Sequence, residues 1–146
     1  MKGGFVYAVG ASSPEVAIDA NSEEQKKLYL TGGTLIAIGG LESGASLSQT
    51  CYSSSSWSKN VWYAMTFGSS TVAFKTPASG GSALVVSAAS TPTLKSGVTV
   101  ADGTAVFDGI AYVDASVTGG SSVTLSQYTS SNTGGGGGNN NRPGGR

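Results

Sequence analysis

The sequence predicts an all-β fold: the last turns of a right-handed parallel β-helix, then a small antiparallel, sandwich-like cap and a disordered tail. Three observations carry that expectation. A Gly-Gly-led strand occurs twice: Gly3-Gly4-Phe5-Val6-Tyr7-Ala8-Val9-Gly10 returns as Gly32-Gly33-Thr34-Leu35-Ile36-Ala37-Ile38-Gly39, an offset of 29 residues (32 − 3). Charged residues make up only 11% of the chain, against about 25% in an ordinary soluble domain. Gly, Ser and Thr fill that gap, which suits turn-rich β surfaces better than helices.

Repeats with periods of about 20–50 residues mark solenoids and arrays. Between the two copies lie further strand candidates, Glu15–Asp19 and Lys27–Thr31. Three strands with three corners, then the first strand again, describe one coil of a parallel β-helix. Alternation puts Val6 with Ala8, and Leu35 with Ala37, on one strand face. Stacking the copies sets Val6 under Leu35 and Ala8 under Ala37, an inner apolar column. The paired glycines fall where the coil turns, and glycine alone enters positive φ there at little cost. Ser22-Glu23-Glu24-Gln25 reads as a charged corner loop, with a capped short helix from Ser22 to Leu30 as the competing reading. Residues 1–49 are thus expected to be terminal β-helix rungs.

Residues 50–129 change pattern. Short strands are expected at 60–67, 70–75, 83–87, 98–101, 104–107, 110–113 and 121–126. Gly68-Ser69, Gly80-Gly81, Asp102-Gly103, Asp108-Gly109 and Gly119-Gly120 separate them as turns, Asp102-Gly103 being the strongest signal. This zone is expected to cap the solenoid's open end, because an uncapped solenoid leaves a sheet edge free. Residues 130–146 are rich in Gly and Asn and hold nothing apolar to offset ordering, which predicts a disordered tail.

Net charge is zero, with eight basic and eight acidic residues and no histidine. That balance removes the basic footprint of a nucleic-acid partner. No run approaches the roughly 18 apolar residues of a membrane span. A repeat beginning at residue 3 suggests a piece cut from a longer chain, with upstream β-helix rungs and any export signal lying before it. The single cysteine, Cys51, permits no internal disulfide and reads as a small core residue. An exposed rung face near residues 1–9 predicts self-association.

The segments Thr31–Gly40, Phe74-Lys75-Thr76-Pro77, Phe107-Asp108-Gly109 and Gly119–Ser126, in that order, give the chain a family likeness. It resembles the C-terminal part of the Bacteroidetes-type carbohydrate-binding-domain-containing proteins, which carry a pectate-lyase-like right-handed β-helix. The resemblance spans nearly all of residues 1–130. It implies a secreted or cell-surface, non-catalytic polysaccharide-binding protein. Calcium is associated with sugar binding in the longer solenoid of such relatives, so calcium is an expectation for the parent protein; no cofactor is expected in this chain.

The residues themselves point the same way. Without histidine, and with one cysteine in a Ser/Thr setting, nucleophilic triads lack a base, and zinc or copper sites lack ligands. Asp102, Asp108 and Asp114 recur every six residues (108 − 102, 114 − 108), but two precede glycine, which is turn chemistry. A calcium role for these three, or for Asp19 beside Asn21, lacks the spacing of a dedicated loop. Aromatic residues are the stronger lead, because sugar C–H faces stack on Trp and Tyr. The candidates are Trp57, inside the polar run Ser53–Ser58; Trp62 and Tyr63, neighbours of which one faces in and one out; and Tyr7 on the solenoid's outer face. In the opposing reading Trp57 is a lid on the solenoid end, Trp62 packs the cap's core, and Phe5, Tyr7 and Ile36 lie covered by the cap. The expected function is polysaccharide binding; the alternative is a structural cap or spacer of a larger adhesin-like surface protein.

Overall fold

In the computed structural model, residues 1–11, 16–20 and 24–129 are described. The corner at Ser22-Glu23, the start of the strand expected at Glu15, Asn21 and the expected tail at 130–146 lie outside them. No α-helix occurs among the described residues, and the fold is all-β.

The two Gly-Gly-led segments form β1 (Phe5–Val9) and β3 (Thr34–Ile38). They pair in parallel with the register of the repeat: Phe5 opposite Thr34, Val6 opposite Leu35, Ala8 opposite Ala37 and Val9 opposite Ile38. β2 (Tyr29–Leu30) and β4 (Ser46–Leu47) pair in parallel as well. A lone parallel bridge joins Ile18 to Leu41. Residues 34–47 therefore lie on residues 5–30 through three parallel contacts. The inner column is apolar: Leu30, Leu35, Ala37, Leu41, Cys51 and Val85 are buried together, with Val6, Ile18 and Leu47 packed at their margin. Burial raises the Cys51 thiol pKa above its ordinary value, and a hydrogen bond with Ser87 works against that rise.

The sheet does not stop at residue 49. β5 (Cys51–Ser54), β8 (Leu84–Ser87) and β11 (Ser126–Tyr128) extend it in the order β1-β3-β8-β5-β11. β8 runs antiparallel to β3, with Val86 opposite Ile36, and antiparallel to β5, with Val86 opposite Tyr52. Its run Leu-Val-Val-Ser is buried on both faces, as a central strand between two layers requires. The boundary expected between residues 49 and 50 thus falls inside one continuous sheet.

The remaining strands, β6 (Trp62–Phe67), β7 (Ser70–Lys75), β9 (Thr93–Val106) and β10 (Ala111–Val123), close into a small barrel in the order β10-β7-β6-β9. Gly68-Ser69 makes the β6–β7 hairpin, Phe67 lying opposite Ser70. Asp108-Gly109 is also a chain reversal, with Phe107, Asp108 and Gly109 at φ 53°, 55° and 84°. Two other expected turns are not turns. Asp102-Gly103 lies inside β9, opposite a register shift between Val113 and Ser116. The Asp102 carboxylate accepts the Gly103 N–H at 2.8 Å, so the turn-forming chemistry is present but is absorbed by a bulge. Gly119-Gly120 lies inside β10, where Gly97, Gly119 and Gly120 hold φ of 74°, 72° and 91° on paired strands. These glycines bend a long two-stranded ribbon where the chain would otherwise need two hairpins.

The main core lies between the sheet and the barrel. Ile36, Ile38, Leu84 and Val86 face Tyr63, Met65, Val72, Phe74 and Leu94. Phe74 is fully buried, stacked on Tyr63 at 5.6 Å and 22° and met edge-on by Tyr7 at 5.6 Å and 65°. The outer stripe Phe5, Tyr7 and Ile36 is therefore covered by the barrel. At one corner the backbone closes tightly: Gly10 N–H bonds Ile38 O at 2.7 Å, Gly81 N–H bonds Gly10 O at 3.0 Å, and Gly39 N–H bonds Ala83 O at 2.7 Å.

Candidate functional site

β6 alternates as a strand must. Tyr63 and Met65 turn toward the sheet, and Trp62 turns away from it. Tyr63 is 3% exposed, and its hydroxyl accepts the Ser58 N–H at 2.8 Å. Its ring belongs to the core, so no sugar face can lie on it in this conformation. Trp62 is half-buried and stands outside the main core, contrary to the reading that packs it inside the cap. Directly opposite Trp62 is Lys75, while Tyr112 of β10 lies opposite Ala73 of β7. That places Trp62 and Tyr112 diagonally on one barrel face, with ring centroids 5.6 Å apart and planes tilted by 49°.

The two rings line a cleft of about 520 Å³ with Val98, Val100 and Asp102. Thr99, Ala101 and Gly103 complete the lining, and the buried pair Ala64 and Ala73 lies between the two aromatic positions in the strand register. Gly103 sits at φ 145°, and a Cβ there would lie 3.2 Å from the Tyr112 Cβ and 3.1 Å from the Ala115 Cα. The bulge thus brings the β9 backbone close under Tyr112 while keeping Asp102 on the rim. One Asp102 oxygen is engaged with the Gly103 amide; a carboxylate has further lone pairs for hydroxyl donors. Among the described residues lining this cleft, Asp102 is the one carboxylate.

Trp57 stands elsewhere. Its indole N–H donates to the Gly81 carbonyl at 2.7 Å, and the ring packs beside the main core, at the corner where Gly80 and Gly81 approach Gly10 and Gly39. The half-buried ring also lines a hydroxyl-rich cleft of about 770 Å³ with Ser54, Ser55, Ser122 and Thr124. Tyr7 is a tether between the layers: its hydroxyl donates to the Lys75 carbonyl at 2.6 Å, and burial pushes its pKa up to about 12. Trp57, Trp62, Tyr63 and Tyr7 are therefore dispersed, and of these four Trp62 alone stands on an open aromatic surface. Tyr112, its partner there, carries no signal in the sequence: its own strand has no aromatic neighbour to flag it, and its link to Trp62 passes through β7. Among the described residues, no group of three or more metal-ligating side chains gathers, and no helix is long and apolar enough to cross a membrane.

No protein-family model matches the chain, nor does any curated protein or solved structure.

Proposed function

We propose that the chain is a non-catalytic polysaccharide-binding module of an extracellular or cell-surface protein, with Trp62 and Tyr112 as its sugar platform. The carrying observation is the half-buried, tilted Trp62–Tyr112 pair lining an open cleft with Asp102. Two non-coplanar rings suit successive sugars of a twisted chain, since each ring offers an apolar face with a polar edge. Asp102 on the rim supplies acceptors for sugar hydroxyls. A glycosidase sets two carboxyl groups about 5–9.5 Å apart across the bond, and the single carboxylate on this lining favours binding without cleavage. The parallel contacts of residues 5–47 support reading this part as the final coils of a right-handed β-helix, with further coils stacking on β1 in a longer parent of the Bacteroidetes type.

Retention of the chain on a panel of plant, host and microbial polysaccharides tests the proposal. We expect binding to at least one of them. Loss of a stacked ring is worth about 1–2 kcal/mol, so Trp62→Ala and Tyr112→Ala should each weaken it by roughly 5- to 30-fold. Trp57→Ala should matter far less. Release of oligosaccharides by the chain would overturn the non-catalytic reading.

A second reading has its own support. β8 lies antiparallel along the outer side of β3 and so ends the parallel stacking, which is what a terminal cap does. No retention on any polysaccharide would leave the structural cap or spacer as the better account.

A further inference from the structure

The five-stranded sheet has two edges, β1 and β11. β11 is three residues long, Ser126-Gln127-Tyr128. β1 is five residues long, Phe5-Val6-Tyr7-Ala8-Val9, with no charge and no proline. Edge strands lacking such guards are templates for pairing with another chain.

Thr34 N–H bonds Gly4 O at 2.8 Å, and Gly10 N–H bonds Ile38 O at 2.7 Å. The even-numbered residues thus aim their backbone groups at β3. Alternation then aims the N–H and C=O of Phe5, Tyr7 and Val9 outward, where no strand pairs with them among the described residues. The same three side chains share the barrel-side face of the sheet. Val9 is 47% exposed, and so are Phe107 (44%) and Ile110 (46%) at the β9–β10 tip. Phe107 lies 5.2 Å from the Phe5 ring, at the other end of the same edge.

We propose that the 146-residue chain forms a closed two-fold dimer by antiparallel pairing of β1 with β1 of a second copy. The outward groups fix the register. Tyr7 faces Tyr7 of the second copy and Phe5 faces its Val9, so all three outward residues exchange both hydrogen bonds. Each exposed Val9 then lies against a Phe5–Phe107 pair. Head-to-tail stacking of β1 on β3 is closed off, because β8 already occupies the far side of β3, and the other edge, β11, offers three residues against the five of β1. The contact is therefore isologous and ends at two copies. The proposal does not depend on glycan binding. A further coil stacked on β1 would compete for the same ladder.

Light scattering behind size exclusion, over a range of concentrations, tests it on the intact chain. The expected result is a monomer–dimer equilibrium with no larger species. Val9→Lys sets a charge against the Phe5–Phe107 pair at each end of the contact without touching the core, Val9 being 47% exposed, and should raise the dimer Kd at least tenfold. Register is tested by disulfide trapping. In a hydrogen-bonded antiparallel pair the Cα atoms lie about 5.5 Å apart, within disulfide reach. Phe5→Cys chains mixed with Val9→Cys chains should cross-link to each other, and neither should cross-link alone; Cys51 is buried and does not compete. A monomer at every concentration, open-ended oligomers, an unaltered dimer in Val9→Lys, or cross-linking of either cysteine variant with itself would each overturn the proposal.

Discussion

Gly81→Ala tests the close corner where the segment leading into β8 meets Gly10 and Gly39. A Cβ at Gly81 would lie 2.7 Å from the Gly39 Cα and 3.0 Å from the Ala11 carbonyl oxygen. Carbon atoms settle about 3.5–4.0 Å apart, so the backbones must part by roughly 1 Å. No flexible side chain can yield, because both obstacles are main chain. Overpacking of this kind costs about 1–3 kcal/mol. The separation also strains the bonds from Gly81 to Gly10 and from Gly39 to Ala83, 3.0 and 2.7 Å long, and each is worth about 1 kcal/mol net. The expected loss is roughly 2–5 kcal/mol, a large part of the typical 5–15 kcal/mol or so that holds a domain together. Two controls separate the causes. Gly44 holds φ 81° with nothing within 4 Å, so Gly44→Ala should cost only the left-handed backbone penalty, about 1–2 kcal/mol. Gly3 is equally open and outside that region, so Gly3→Ala should leave stability unchanged or slightly raised. Urea unfolding followed by tryptophan fluorescence reads all three. Equal midpoints for Gly81→Ala and Gly3→Ala would refute the close-approach argument, and equal losses for Gly81→Ala and Gly44→Ala would assign the cost to φ alone.

Ser87 is fully buried; its hydroxyl donates to the Thr50 carbonyl at 2.7 Å and accepts from the Gln49 amide at 2.9 Å. Ser87→Ala should therefore destabilise by about 1–3 kcal/mol in chemical denaturation, and a change inside experimental error would mean that other groups take over both bonds. Tyr7 gives a pH dependence: its phenol is raised from 10.0 to about 12 by burial. The folded chain keeps that proton longer than the unfolded one, so the stability Tyr7 contributes is whole below the lower value and is lost as pH climbs toward the upper. Tyr7→Phe should flatten that decline of the urea midpoint; an unchanged slope would place its cause elsewhere.

The parallel pairing of β1 with β3 is legible in the sequence because its evidence repeats. The Gly-Gly-led strand and its second copy carry the same alternation, so one offset fixes partner, direction and register together, as Val6 opposite Leu35 illustrates. The ribbon of β9 and β10 is not legible, because Asp-Gly and Gly-Gly serve hairpins, bulges and bends alike. What decides among them is the opposing strand, and Asp102 faces Ser116 rather than its own near neighbours. The place of β8 in the sheet, rather than in the cap, is hidden for a related reason. An apolar Leu-Val-Val run states that it will be buried, but not between which strands. At the site, Trp62 stands out as an aromatic beside Tyr63, and alternation requires the two to part. Its partner Tyr112 lies beyond reach, since the diagonal that joins them is made by the β6–β7 and β7–β10 pairings together.

The place of β8 has a consequence for how the chain comes to be folded. Leu84–Ser87 must enter between β3, completed at Ile38, and β5, completed at Ser54. Neither edge can be satisfied by anything synthesised earlier. Until the chain has grown past Ser87, β3, paired with β1 on one side only, keeps its other edge open, and β5 has no strand on this side. Pairings so distant in sequence make β proteins slow to fold, and exposed strands in that interval invite misassembly. The strand that ends the parallel pairing in space thus also closes these two edges in time, and the interval before it is one in which a nascent chain needs protection.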